Sequence, residues 1–358
     1  MVKGLLDTTG IDFPPNVDQT YVRGLQNARG VNFLTLLTQI DARLRAFAAT
    51  ADPLIAALTY FTPNSVADDT NPTAFELEEE TEYGLPRSEF APERAHMLPF
   101  RRYAKALGFT EEGLFEANEA DILRQIDNIL LTFQRGRMLH VLRRLFSDVE
   151  EYVDRKTTAV SPGFAGSGTG DNVFGGPFPE GTALPDPYTH YLRDTTANID
   201  VATIAIKDLL ARWHSGPFDL IGSQTTVDLL AAETGWVDAG SGLIRLGNDT
   251  PEALVDPLRY AGVFDKTIRV WHPRLELGTS SFVAVFKTYG NFDARNPLAI
   301  RFDPRFGRGV DVKYRVFFPL DMAIMRARWG VGVNNRVGAG LARLAAAGAY
   351  GDVAATIA

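Results

Sequence analysis

The segment "ANEADILRQIDNILLTFQRGRMLHVLRRLFSDVEEYVD" covers residues 117–154 and contains no proline. Apolar residues recur at helical spacing in both of its halves. In the first half they are Ile122, Ile126, Ile129 and Phe133, and in the second they are Met138, Val141, Leu142, Leu145, Val149 and Tyr152. At about 100° per residue, the second stripe is rotated by roughly 120° from the first. The sequence therefore predicts one long helix whose halves pack against different partners, with Gly136 permitting a bend between them.

A second informative segment, "FELEEETEYGLP" at residues 75–86, alternates between apolar and acidic residues. Only Glu79 interrupts the alternation on the apolar side. A period of two predicts an extended strand with one apolar and one acidic edge. We call this segment the acidic ribbon. A hairpin carrying it has too little core to be stable alone, so we expect its apolar edge to be buried against another chain. The alternative is a hairpin that is simply solvated.

The hypothesis of a buried apolar edge predicts a set of residues that contact a second subunit. They are Phe75, Leu77, Tyr83 and Leu85 on the apolar edge, Glu76, Glu78 and Glu80 on the acidic edge, and Arg135, Arg137, Arg143 and Arg144 on the long helix as the facing cations. Exposed ion pairs contribute little, roughly 0 to 1 kcal/mol each. We therefore expect the apolar edge to supply most of the binding energy.

Composition removes several classes of function. The chain has 358 residues, a formal charge of -8 and no cysteine, which excludes disulfides, thiol nucleophiles and cysteine zinc sites. An acidic chain is a poor candidate for gripping nucleic acid tightly, although a local basic patch can exist. No segment approaches the roughly 20 apolar residues of a membrane helix, so we expect no membrane partner.

Motifs for catalysis are missing from the sequence. The five histidines are scattered, no G-x-S-x-G elbow is present, and Gly166–Gly170 lacks the G-K-[ST] ending of a phosphate-binding loop. We expect no catalytic residue, no metal site and no cofactor. The alternative left open is an α+β enzyme that uses the Gly-rich loop 163–181 with His190 or His214.

The remaining segments predict a mixture of helices and strands. Helical spacing over 32–61 with a break at Pro53, and over 198–213, predicts helices, while "FDLIG", "KTIRVWHP", "SSFVAVFKTYG", "LAIRF" and the segment 310–333 predict strands. "TTVDLLAAE" predicts another helix. The pattern over 99–120 predicts short helices and turns. The C-terminal segment 338–358, which is rich in small residues, predicts a helix.

The order of these parts resembles the major capsid proteins of tailed phages, which share the Hong Kong 97 fold. Three fragments carry the resemblance: "YGLPRSEFAP" (83–92), the helix from Ala120 to Phe146, and "RVFFPLDMAIMRARWGVGVNNR" (315–336). It implies an α+β chain with four parts. These are an N-terminal arm and helix (1–60), an extended β-hairpin loop (61–110), a peripheral domain (111–190 and 291–340) with a spine helix at 117–156, and an α/β axial domain (191–290 and 341–358).

The resemblance also implies function and partners. It implies a structural subunit that assembles with itself into pentamers and hexamers of an icosahedral virion, built in the host cytoplasm around loosely packed double-stranded DNA. Scaffolding, portal and decoration proteins would be further partners. Some family members crosslink through a lysine and an asparagine; Lys105 with Asn334 or Asn335 matches that pattern poorly. An encapsulin-type nanocompartment shell, which shares the fold, is the nearest alternative.

Overall fold

The structure is a computed structural model of the chain. It describes residues 11–12, 30, 33–49, 52–68, 95–98, 100–110, 116, 118–146, 151–152, 160–161, 191–194, 199–211, 214–238, 258–273, 282–305, 308–317, 320–335 and 338–344. The acidic ribbon and the Gly-rich loop 163–181 lie outside these ranges. The predictions made for them therefore stay predictions.

The chain divides into two compact units and passes between them several times. Unit 1 consists of Met1–Ala51, Phe100–Met138 and Phe302–Gly330, and unit 2 consists of Asp52–Pro99, Leu139–Arg301 and Val331–Ala358. Five helices are described: α1 (Phe33–Ala49), α2 (Pro53–Leu58), α3 (Glu119–Phe146), α4 (Ile199–Ala211) and α5 (Gln224–Ala231). The break predicted at Pro53 is confirmed, since Asp52 caps α2 by accepting a hydrogen bond from the Leu54 amide at 3.0 Å.

The strands are numbered in chain order. They are β1 (Ile11–Asp12), β2 (Thr59–Thr62), β3 (Val66–Asp68), β4 (Ala95–Met97), β5 (Arg101–Thr110), β6 (Glu151–Tyr152), β7 (Val160–Ser161), β8 (Tyr191–Asp194), β9 (Phe218–Gly222), β10 (Val237–Asp238), β11 (Leu258–Phe264), β12 (Ile268–Pro273), β13 (Phe282–Phe286), β14 (Leu298–Phe302), β15 (Asp311–Phe317), β16 (Leu320–Val333) and β17 (Ala339–Leu344). The chain thus combines helices with sheets that contain both parallel and antiparallel pairs.

The long helix α3 buries both of its predicted apolar stripes. Ile122, Ile126, Ile129 and Phe133 are buried in the first half, and Met138, Val141, Leu142 and Leu145 in the second. The boundary between the two units falls at Met138, next to the place where the stripe shifts. The helix is shorter than predicted, because it ends at Phe146 and Glu151 already pairs with Ser161 across β6 and β7.

In unit 1 the long strand β16 pairs antiparallel with β15 along one edge and with β5 along the other. The short β1 pairs parallel with β15. The prediction of helices and turns over 99–120 is therefore wrong for Arg101–Thr110. This segment is rich in Arg, Ala, Lys and Gly, residues that favour strands weakly, and its ten-residue ladder with β16 overrides that local preference.

The core of unit 1 is centred on Trp329, which β16 places against α3. Its ring stacks on Tyr103 with centroids 4.1 Å apart and meets the Phe133 ring edge-on at 6.1 Å. Arg43 of α1 also forms an ion pair with Asp127 of α3. The first half of α3 is thus held by aromatic contacts with the sheet and by an ionic contact with α1.

Unit 2 contains a seven-stranded mixed sheet in the order β10-β11-β12-β9-β13-β17-β8. Every residue of β9 is buried, which confirms the buried strand predicted for "FDLIG". Helices α4 and α5 cover the sheet, and their apolar residues join those of the strands in one core that includes Ile206, Leu230 and Val285. This core gives the unit an apolar interior of its own.

The helix predicted at the end of the chain is wrong for its first residues. Ala339–Leu344 form β17, which pairs with β13 on one side and β8 on the other. The small buried residues here, including Ala339 and Gly340, lie in the middle of a sheet. Tertiary pairing again overrides local preference, since alanine-rich sequences favour helices when isolated.

A second part of unit 2 is organised by Asn296, which is fully buried. Its side-chain amide donates to the carbonyl oxygens of Ala56, Thr59 and Gly290 at 3.3, 3.1 and 3.0 Å. Its side-chain oxygen accepts from the Tyr289 amide at 3.1 Å. One side chain thus ties α2 and the start of β2 to the loop before β14, and β2 then pairs parallel with β14.

Candidate assembly surface

The base of the predicted hairpin is formed by β3 and β4. Val66 pairs with Met97, Ala67 with His96 and Asp68 with Ala95 in an antiparallel register. The acidic ribbon lies in the sequence between these two strands. The structure thus describes where the hairpin begins and not the ribbon itself.

The four arginines predicted to face the ribbon fall into two pairs. Arg135 and Arg143 are exposed on α3, whereas Arg144 is only 3% exposed and Arg137 is half-buried. A guanidinium that is already withdrawn from solvent is a poor receptor for a glutamate of another chain. Only Arg135 and Arg143 therefore have the accessibility that the prediction requires.

Arg137 has a role within unit 1. Its guanidinium lies 5.3 Å from the Trp329 ring centroid and 5.8 Å from that of Phe47, and it donates to the Arg308 carbonyl oxygen at 3.0 Å. Such cation–π contacts contribute roughly 0.5 to 2 kcal/mol each. Arg137 therefore fixes α3 against its own unit.

The outer face of α3 carries an apolar residue that sequence reasoning missed. Leu131 is 60% exposed, more than any other large apolar side chain among the described residues. It lies between exposed Asn128 and Arg135, one turn away on either side. At about 100° per residue Leu131 falls opposite the stripe of Ile122, Ile126, Ile129 and Phe133, whereas buried Leu130 falls beside it, so helical spacing was the signal that could have found Leu131.

The edge strand β5 is a second surface that the sequence analysis missed. Five of its first six side chains are exposed, namely Arg101, Arg102, Ala104, Lys105 and Ala106. Among the described residues β5 pairs with β16 alone, so its other backbone edge has no strand partner within that part of the chain. Three cations in five residues were the available signal, and reading the segment as helices and turns hid it.

A buried carboxylate organises the cations on the opposite side of β16. Asp303 accepts two hydrogen bonds from the Arg305 guanidinium at 3.1 and 2.9 Å, one from the Arg305 backbone amide at 3.1 Å and one from Arg328 at 2.8 Å. The hydrogen bonds from Arg305 are the main cause that lowers the pKa of Asp303 to about 2, and Arg328 adds to the effect. The carboxylate therefore stays ionised under all ordinary conditions.

Of the two histidines named for a catalytic alternative, His190 lies outside the described residues and His214 has a partner within the chain. His214 is half-buried, and its Nδ1 is hydrogen-bonded to the Tyr289 hydroxyl. No cluster of three or more His, Asp or Glu side chains suited to a metal occurs among the described residues. None of the described helices is both long enough and apolar enough to cross a membrane.

Asp219, a deeply buried carboxylate of unit 2, has a hydrogen bond to each of its oxygens. Asp219 accepts from Arg269 at 2.6 Å and from the Trp271 indole at 2.8 Å. Burial raises the pKa of Asp219, and Arg269 opposes the rise. Burial lowers the pKa of Lys287, because it disfavours the charged ammonium group. Lys287 donates to the Pro217 carbonyl oxygen at 3.1 Å. These contacts link β9 to β12 and fix the Asp219 side chain, which is a structural role.

The asparagines considered for a crosslink are also occupied. The side-chain amide of Asn334 donates to the carbonyl oxygens of Ala294 and Asn296 at 2.7 and 2.8 Å, and that of Asn335 donates to the Arg295 carbonyl oxygen at 3.2 Å. Both side chains are buried. Their contacts hold the end of β16 to the loop before β14, which is a structural role.

Comparison with known proteins supplies the fold. No family model matches the sequence, and no curated protein matches it either. A solved chain from Mycobacterium phage Patience has a TM-score of 0.62 with 19% identity, covering 91% of this chain and 91% of that chain. The capsid of a native GTA particle has a TM-score of 0.49 with 14% identity, covering 92% and 96%. The SrpI encapsulin from Synechococcus elongatus has a TM-score of 0.44 with 9% identity, covering 84% and 90%.

The match with the Patience chain extends over nearly all of both chains, so it concerns the whole fold and not one shared motif. The chain has the α+β fold that was predicted for it, the Hong Kong 97-like capsid fold. At this identity, the likeness concerns the fold.

Proposed function

We propose that the protein is the structural subunit of an icosahedral phage capsid that assembles into pentamers and hexamers around double-stranded DNA. The observation that carries the proposal is the whole-chain likeness in fold to a chain of a mycobacteriophage. No cluster of His, Asp and Glu suited to a metal occurs among the described residues, which is compatible with a structural role.

The proposal includes a contact between subunits made by the hairpin. We propose that the apolar edge of the acidic ribbon is buried on a second copy and that its glutamates face cations there. The described base, β3 and β4, supports a hairpin that leaves the body of the subunit. Exposed cations occur on two surfaces, Arg135 and Arg143 on α3 and Arg101, Arg102 and Lys105 on β5.

The partners follow from the same proposal. The subunit associates chiefly with itself in the virion, after assembly in the host cytoplasm, and scaffolding, portal and decoration proteins are its further partners. The net charge of -8 favours DNA that is enclosed without being gripped, because tight phosphate binding needs a basic surface.

Electron microscopy of the purified recombinant protein in negative stain tests the proposal. We expect closed, regular shells under some condition of salt or with a scaffolding protein. Discrete monomers under every condition would contradict it. Shells that co-purify with an enzyme instead of enclosing DNA would indicate a nanocompartment and would also contradict the proposed function.

A further inference from the structure

The edge of β5 has the properties of a surface that accepts another strand. The ladder with β16 runs without a register shift from Arg101 to Thr110, so the opposite backbone edge is long and regular. Long regular edges invite pairing with a further strand, and natural proteins usually block such edges with charges. Here the charges can do more than block, because the same chain contains a segment of opposite charge.

The cations of β5 lie on both faces of the strand. Arg101 is paired with Trp329 and Arg102 with Arg328, and successive residues point to opposite faces. Lys105 shares the face of Arg101. An acidic strand that simply alternates could therefore meet only one of the two faces.

The acidic ribbon matches this two-faced pattern in one antiparallel register. We propose that residues 75–80 of a second copy add as an antiparallel strand to the edge of β5 that has no strand partner among the described residues. The register sets Glu80 opposite Arg101, Glu79 opposite Arg102 and Glu76 opposite Lys105. This inference rests on the proposed function, since it requires copies that assemble.

The register explains two features of the sequence. Glu79, which breaks the alternation of the ribbon, becomes the partner of Arg102 on the second face. In addition, Leu77 is set opposite exposed Ala104, and Phe75 is set opposite exposed Ala106. Opposite charges and apolar pairs facing each other across strands both stabilise a sheet.

No other antiparallel register gives all three cations of β5 a glutamate from the ribbon, as the printed sequence shows. One parallel register does so, setting Glu78, Glu79 and Glu82 opposite the same cations. We propose the antiparallel one, because only it also sets two large apolar residues of the ribbon opposite Ala104 and Ala106. Antiparallel pairs are also the more common kind.

The geometry of the hairpin indicates that the strand comes from another copy. If the arms continue in the register of β3 and β4, residues 75–80 lie 7 to 12 positions beyond Asp68, or roughly 23 to 40 Å from the base at about 3.3 Å per residue. Arg101 follows Met97 by only four positions in the sequence. A ribbon that extends away from its base is therefore placed to reach a neighbouring subunit.

A pair of engineered cysteines tests the proposal directly, since the natural chain contains none. Residues directly opposite in a sheet have Cβ atoms about 4.5 to 5.5 Å apart, close enough for a disulfide after small adjustments. In assembled particles, the double variant Leu77→Cys with Ala104→Cys should form covalent multimers after mild oxidation, seen on a non-reducing gel. Thr81→Cys with Ala104→Cys, which reports the parallel register, should stay monomeric.

Several results would overturn the inference. They are shells that assemble without this crosslink, a disulfide formed only within one chain, or efficient crosslinking of the parallel-register pair. Failure of the unmodified protein to form shells at all would instead count against the proposed function. The two failures are thus distinguishable.

A charge reversal gives a second readout that does not depend on thiols. Arg102→Glu should raise the protein concentration needed for assembly by roughly fivefold or more, because it sets like charges opposite each other. Adding Glu79→Arg should restore assembly. The matched control is Arg135→Glu with Arg143→Glu on α3, which should have the smaller effect. If the control blocks assembly and Arg102→Glu does not, the ribbon binds the helix and the inference is wrong.

Discussion

Among single residues, the buried polar side chains of Asn296 and Asp303 fix the conformation of the chain around them. Asn296 satisfies three backbone carbonyl groups and one backbone amide at once. Asp303 satisfies two arginines. Because a buried polar group without a partner costs about 1 to 3 kcal/mol, such residues specify one arrangement of the surrounding chain.

Replacing Asp303 should destabilise unit 1. The variant Asp303→Asn removes the charge that Arg305 and Arg328 share, and we expect the free energy of unfolding to fall by about 1 to 3 kcal/mol. Denaturant unfolding of purified protein at neutral pH measures this change. An unchanged midpoint would show that Arg305 and Arg328 lose little when the carboxylate is removed.

The pH dependence of the same group has a definite sign. The pKa of Asp303 falls from 3.8 to about 2 on folding, so the folded state is stabilised wherever the carboxylate is ionised in both states. This contribution is fully present above pH 3.8 and is lost as the pH falls through about 2. The loss of stability between these values should therefore be smaller in Asp303→Asn than in the natural protein.

Among the elements, the sequence alone was enough to predict α3 and the neighbouring strands β12, β9 and β13 of unit 2. The apolar residues of α3 recur at helical spacing on its buried side, and the short, mainly apolar run of β9 is typical of a strand that is buried on both faces. These elements are dictated by residues inside the segment itself.

The elements that the sequence did not predict depend on partners far along the chain. β5 is a strand because β16 pairs with it, and β17 is a strand because β13 and β8 enclose it. Neither "RRYAKA" nor "AGLARL" carries the β-branched residues that favour strands locally. The candidate receptor on β5 was missed for the same reason.

Gly136 tests whether α3 needs a bend. No atom would lie within 4 Å of an added Cβ there, so Gly136→Ala should stabilise the helix by roughly 0.5 to 1 kcal/mol. Thermal unfolding measures this gain. If stability rises while shells no longer form, the glycine serves a change of helix shape during assembly.

Gly262 is the matched control for that substitution. An added Cβ would lie 2.5 Å from the Val237 carbonyl oxygen and 2.8 Å from the Trp236 ring, at the point where the β11–β12 register shifts. Gly262→Ala should therefore destabilise unit 2 by about 1 kcal/mol or more. Equal effects of the two variants would show that the contacts around Gly262 yield easily.

At the scale of the whole molecule, the apolar edge of the acidic ribbon should act only between copies. The double variant Phe75→Ser with Tyr83→Ser should leave the subunit folded and block assembly, because it removes apolar area that is buried on a neighbour. Circular dichroism checks the fold, and sedimentation checks assembly. Normal shells from this variant would show that assembly does not need the apolar edge of the ribbon.

The most direct test of the proposed capsid function is the mass of the particle that the purified protein forms. A closed icosahedral shell needs at least about 60 copies, so with 39.3 kDa per chain its mass is on the order of 2.4 MDa or more. Native mass spectrometry or mass photometry should find particles in this range. The proposed capsid function would be contradicted by a single species at the mass of one chain, found across salt conditions and with a scaffolding protein present.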